Sequence, residues 1–145
     1  MFTMFQAFHR LVCWTVIIVA VFGAAAKAQL TPKVTFKAPF AFEVGSRTCP
    51  AGEYELEYDP HSRVVKVTHV ESSARVMLLA NVLLDPGRAL SPKVVFQNYG
   101  SSAFPFQAWF GPVYGGVQFQ PSDRERELIA AKRTSAPVVL EAKGR

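Results

Sequence analysis

Beyond position 28 the chain carries few side chains suited to chemistry. Two histidines, His61 and His69, and one thiol, Cys49, are the residues able to ligate a transition metal or to act as nucleophile and base. His61 falls in a turn-forming stretch and His69 eight residues on, near the far end of the following strand pattern, whereas zinc takes about four ligands. No metal and no other cofactor is expected. A Cys49–His69 dyad is conceivable in a folded chain, but its spacing does not single it out. The sequence has no G-x-S-x-G elbow, no phosphate-cradling glycine loop and no H-E-x-x-H. Glu53, Glu55 and Glu57 lie side by side on one predicted strand, where carboxylates for acid–base work would have to converge across a cleft. They read as a solvated face. Catalysis is therefore not expected.

Aromatic density is the feature that stands out. Phe96, Tyr99, Phe104, Phe106, Trp109, Phe110, Tyr114 and Phe119 crowd the later part of the chain. Alternation from Phe104 places Phe106 and Phe110 on one face, with Gln107 and Trp109 on the other. The plain reading makes both sets core. Two functional readings stand beside it: Trp109 with Tyr99 or Tyr114 as an exposed surface for stacking a sugar, or Phe96, Phe104, Phe106 and Phe110 as the lining of a cavity for an apolar ligand, which an eight-stranded barrel can hold.

The elements that must position these residues are strands. Apolar runs of strand length recur every 8 to 12 residues between turn signals, the pattern of a barrel or sandwich. Candidate strands are 34–36, 40–44, 53–59, 63–70, 75–84, 93–99, 104–110 and 117–119. Gly45 releases the second of these, and Pro50-Ala51-Gly52 turns the chain beneath which Cys49 packs. A tight hairpin at Asp59-Pro60-His61-Ser62 sets Leu56 opposite Val65, Tyr54 opposite Val67 and Glu55 opposite Lys66. The run RVMLLANVLL, apolar at both parities except for Asn81, predicts a strand buried on both faces.

At Pro121 the pattern changes. Ser122 followed by Glu125 is a capping box, and Asp123 suits the helix dipole. A short helix is predicted over 123–133, docking through Leu128 and Ile129, followed by a flexible tail over 134–145. At the other end, His9 and Arg10 precede an apolar run from Leu11 to Ala25, and Ala26-Lys27-Ala28 offers the small residues of a peptidase site. Residues 1–28 read as a signal peptide cut after Ala28, the apolar run being shorter than the roughly 20 residues of a membrane anchor. Cys13 leaves with it. The chain after the cut, 29–145, made up of the domain 29–133 and the tail, holds 14 basic against 11 acidic residues without a basic stripe, so no nucleic-acid partner is expected. Cys49 then has no internal disulfide partner.

Four stretches carry a resemblance: PFAFEVG at 39–45, CPAGEY at 49–54, VFQNYG at 95–100 and PSDRERELIAAK at 121–132. Together, in this order, they resemble a family of small secreted bacterial β-rich proteins. The resemblance covers most of the chain after Ala28 and implies a signal peptide, a compact β-rich domain and an exported location, with no activity. In that family the second stretch usually begins with leucine, which implies that Cys49 stands in a core-facing slot. The sequence thus predicts an all-β antiparallel meander of 7–8 strands, a small barrel or twisted sandwich with one C-terminal helix. The expected function is non-enzymatic: binding or structural association in the cell envelope, secreted or periplasmic, with an envelope protein, a polysaccharide or an apolar small molecule as partner.

Overall fold

The computed structural model describes residues 31–85 and 91–144, with the side chain of Val82 excepted. The predicted signal peptide, its cut after Ala28 and the turn residues Pro86 and Gly87 lie outside the described residues. The elements are β1 (Lys33–Ala38), β2 (Phe42–Val44), β3 (Arg47–Cys49), β4 (Gly52–Asp59), β5 (Val64–His69), β6 (Arg75–Leu84), β7 (Lys93–Tyr99), β8 (Ser102–Trp109), β9 (Gly116–Phe119), α1 (Asp123–Ala130) and β10 (Ala136–Gly144). Eight strands close an antiparallel barrel in the order β1-β10-β7-β8-β9-β6-β5-β4, while β2 and β3 form a separate hairpin. Of the two predicted architectures, the chain adopts the barrel. Its meander runs in two pieces, β4-β5-β6 and β7-β8-β9, joined through the β6–β9 pair.

The barrel interior is filled with side chains. Alternation turns Val34 and Phe36 of β1, Tyr54, Leu56 and Tyr58 of β4, and Val65 and Val67 of β5 inward, all buried. Phe96, Ala108, Val117 and Phe119 complete the same cluster from the far wall. The β2–β3 hairpin closes one end. Its Phe42 packs among Phe36, Tyr54 and Phe96, with ring centroids 6.4, 5.0 and 5.1 Å away. Burying each such ring contributes about 1.5–3 kcal/mol, so the hairpin is held as a plug.

Several expectations are corrected. The predicted tail is β10, which pairs with β7 over Ala136–Glu141 and with β1 over Ala142–Gly144 and so completes the wall. Pro137 is tolerated because β10 has a single strand neighbour at that level. A short strand, β3, lies between Gly45 and Pro50, where a plain corner was expected; Gly45 makes the β2–β3 turn with φ of 61°. In the β4–β5 hairpin Leu56 faces Val67, Tyr58 faces Val65 and Glu57 faces Lys66, two positions from the expected register. Four residues, Pro60 to Arg63, make the turn. The Asp59 carboxylate accepts from the His61 N–H at 2.9 Å and the Ser62 hydroxyl at 2.7 Å, and Arg63 takes a φ of 55°. A shift of two preserves both faces.

Strand β6 is not buried on both faces. Val76, Leu78 and Ala80 pack inward, but Met77, Leu79 and Leu83 are 70%, 58% and 64% exposed, and Asn81, which is exposed, lies at a bulge opposite β9. The helix ends at Ala130, and its buried residue is Glu125, while Ile129 points to solvent. A second bulge, where Val95 faces Gln107 and Phe96 faces Pro105, puts Phe106 out of the expected alternation.

Candidate functional site: two clefts beside the barrel plug

The wall between β6 and β8 is incomplete at the plugged end. Strand β9 is only four residues long and pairs with β6 from Ala80 onward and with β8 from Gln107 onward. Above it, Arg75–Leu79 pairs with β5 alone and Ser102–Phe106 with β7 alone. Gln120 crosses the gap, its N–H donating to the Leu79 carbonyl at 3.2 Å, and the start of α1 follows. The result is a groove of about 700 Å³ among Met77, Leu79, Phe104, Pro121, Glu43 and the first turn of α1.

The first turn is fixed by its cap. The Ser122 hydroxyl accepts from the Glu125 N–H at 3.2 Å. The Tyr99 hydroxyl donates to the Glu125 carboxylate at 3.5 Å, and Tyr99 itself sits edge-on to Phe104, centroids 5.9 Å apart. Burial pushes the Glu125 carboxyl up, against the opposing pull of the Ser122 N–H and the Tyr99 hydroxyl. The neighbouring charges are matched, Arg124 to Glu43 at 3.2 Å and Arg126 to Asp123 at 3.3 Å. The groove therefore offers apolar surface and a strand edge more than net charge.

On the other flank of the plug lie Cys49, His69 and Tyr54, which line one cleft together. The Tyr54 hydroxyl donates to the Pro50 carbonyl at 2.5 Å. His69 is buried; its Nδ1 is 2.7 Å from the Ser72 hydroxyl and accepts from the Ser72 N–H at 3.3 Å, which leaves the ring proton to Nε2. That Nε2 has no hydrogen-bond partner among the described residues and faces Gly52, where a Cβ would stand 2.5 Å away. Cys49 is a buried free thiol whose pKa burial pushes up, against a smaller opposing pull from Arg47. A thiol so placed is a poor nucleophile.

Models of known protein families, curated proteins and solved structures were compared with the chain, and none matches. The site stands on its own geometry.

Against that geometry the predicted aromatic surfaces come apart. Trp109 is only 8% exposed. Its ring lies against Gly116, where a Cβ would come within 2.8 Å, Lys93 sits over it at 5.7 Å, and its Nε1 donates to Gln107 at 3.3 Å. Tyr99 is at the opposite end of the β7–β8 hairpin, roughly 20 Å along the strands. Tyr114 is exposed in the turn between β8 and β9. Trp109 thus presents little open face for stacking a sugar with either Tyr99 or Tyr114.

The four phenylalanines divide likewise. Phe96 lies in the core against Phe36, Phe40 and Phe42, and Phe110 stacks on Tyr58 at 5.8 Å. Phe104 lines the groove, and Phe106 packs outside the barrel with Val95 and Trp109. Among the described residues no group of three His, Cys, Asp or Glu side chains gathers as a metal site. What sequence reasoning missed is the edge at Arg75–Leu79. The exposed parity of Met77 and Leu79 was its signal, taken there for core.

Proposed function

We propose that this chain is an exported, non-enzymatic binding domain that works from its outer surface, at the groove between β6 and β8, on an extended apolar segment of a cell-envelope protein. The observation that carries this reading is the β6 edge at Arg75–Leu79, which pairs with no strand on its β8 side and meets there the Gln120 N–H at Leu79, and which bears the exposed Met77 and Leu79. A bare strand edge is a template for a further strand, in which main-chain bonds supply affinity and alternate side chains supply selectivity. Matched charges around the groove favour an apolar partner segment over a charged one. Export rests on the apolar N-terminal run and the Ala26-Lys27-Ala28 site. A barrel interior packed with buried rings and aliphatic groups favours surface association over carriage of a ligand inside it.

Site-specific photo-crosslinking in an exporting bacterial host tests the reading. A crosslinking side chain at position 77 is expected to yield a discrete protein adduct that Leu79→Lys removes, while one at Glu53, exposed on β4, yields none. Equal adducts from both positions, or an adduct indifferent to Leu79→Lys, overturn it.

A further inference from the structure

We propose that the second cleft, between β3 and the ends of β4, β5 and β6, binds a small anionic amphiphile: an apolar body carrying one carboxylate or phosphate head. The cleft holds about 340 Å³, within the range of sites for small organic molecules. Tyr54, Val67, Val76, Pro50 and the Cys49 thiol give it apolar walls. These are the surfaces that would enclose the body of the ligand.

The choice of an anionic head comes from two arginines. Arg47 on β3 and Arg75 at the start of β6 both line the cleft and are both exposed. Other cations are matched in part: Lys33 on β1 lies 3.5 Å from Glu55 and 3.4 Å from Glu57, Lys66 on β5 bonds Glu57, and Arg124 on α1 bonds Glu43, while Lys37 and Lys143 stand outside any ion pair among the described residues and outside the cleft. Arg47 and Arg75 take part in no ion pair among the described residues. Among the described residues no acidic side chain lines the cleft either. Two unmatched guanidinium groups at an apolar recess, each able to grip an oxyanion through two N–H groups, suit a carboxylate or phosphate and repel a cation. The hydrogen bonds of Tyr54 to Pro50 and of His69 to Ser72 hold the walls in place without a ligand. The site is thus preformed, and it is independent of the groove on the other side of the plug.

The test is isothermal titration calorimetry on the purified chain at low salt with octanoate and octyl phosphate, and with octanol and octylamine as uncharged and cationic controls. At least one anion is expected to bind saturably at one site per chain, and octylamine not at all. The double variant Arg47→Gln/Arg75→Gln should weaken that anion roughly tenfold or more, and Ala74→Trp, which fills the recess from an exposed position, should abolish its binding. Melting temperatures near the parent's would show that the variants fold. Both arginines are exposed, so that pair suffices if Ala74→Trp does not fold. No saturable binding of either anion, octanol binding as tightly as the anions, or an affinity unchanged in the arginine pair would each overturn the proposal.

Discussion

Gly52 and His69 occupy one volume between them: a Cβ at position 52 would stand 2.5 Å from His69 Nε2 and 3.1 Å from Cδ2. The backbone of Gly52 is not in the left-handed region, so the glycine is there for close approach and not for its turn. Gly52→Ala is expected to destabilise the fold by about 1–3 kcal/mol through overpacking. In a double-mutant cycle by urea denaturation, His69→Ala should recover part of that loss. Additive single effects would show that the two positions do not compete for space.

Glu125 supplies a pH signature. Its carboxyl is held above the usual range chiefly by burial, so the folded chain keeps this proton to a higher pH than the unfolded chain does. Its contribution to stability is full below the usual carboxylate pKa and is lost as pH rises through the folded value. Glu125→Gln is therefore expected to melt above the parent at pH 7 to 8, and the difference should close towards pH 4. Thermal melts across that range check it.

Tyr54 gives the alkaline counterpart. Burial, with a lesser effect from Cys49, pushes its hydroxyl up to about 12 from 10.0. The stability linked to it is complete below about pH 10 and disappears as pH climbs towards 12. Tyr54→Phe loses the bond to the Pro50 carbonyl, at a cost of about 1 kcal/mol near neutrality because Pro50 is exposed and water can replace the donor. Urea midpoints at pH 8 and pH 11.5 should show this gap shrinking at the higher pH.

Removing β10 tests barrel closure. Ending the chain after Thr134 strips partners from both β1 and β7 and leaves two long bare edges. Loss of the cooperative thermal transition, with association of the product, is expected by circular dichroism and light scattering. A monomer that still melts cooperatively would show that β10 is dispensable.

Much of this barrel is legible in the sequence because turn chemistry marks its corners: Gly45, Pro50 to Gly52 and Asp59 to Ser62 bound strands that the structure places within a few residues of expectation. The last strand is written there too, with Val138, Leu140 and Ala142 on the inward parity and Val139, Glu141 and Lys143 outward. Pro137 masks it, since a proline is tolerated in a strand only where one side lacks a neighbour, and that is a property of the assembled sheet. Apolar residues at both parities of β6 do not reveal what covers them; half of that stripe faces outward. The helix cap at Ser122 is a local signal, whereas burial of Glu125 in place of Ile129 depends on Tyr99, 26 residues away. The bulge at Phe106 arises from pairing with β7 and divides aromatics that strict alternation would keep together. Cys49 and His69 meet in one cleft only because the β2–β3 hairpin folds over the barrel end.

The pairing of β1 with β10 brings Val34 and Gly144 side by side across most of the chain. A chain emerging N-terminus first makes β4, β5 and β6 early, as neighbours, but β1 waits for its second partner until the last strand arrives. Closing so long a loop gains little from local contacts and slows folding. Until then the unsealed sheet exposes edges on β1 and β7, so the most hazardous moment for this protein is the interval before its final strand docks, when a holding chaperone would matter most.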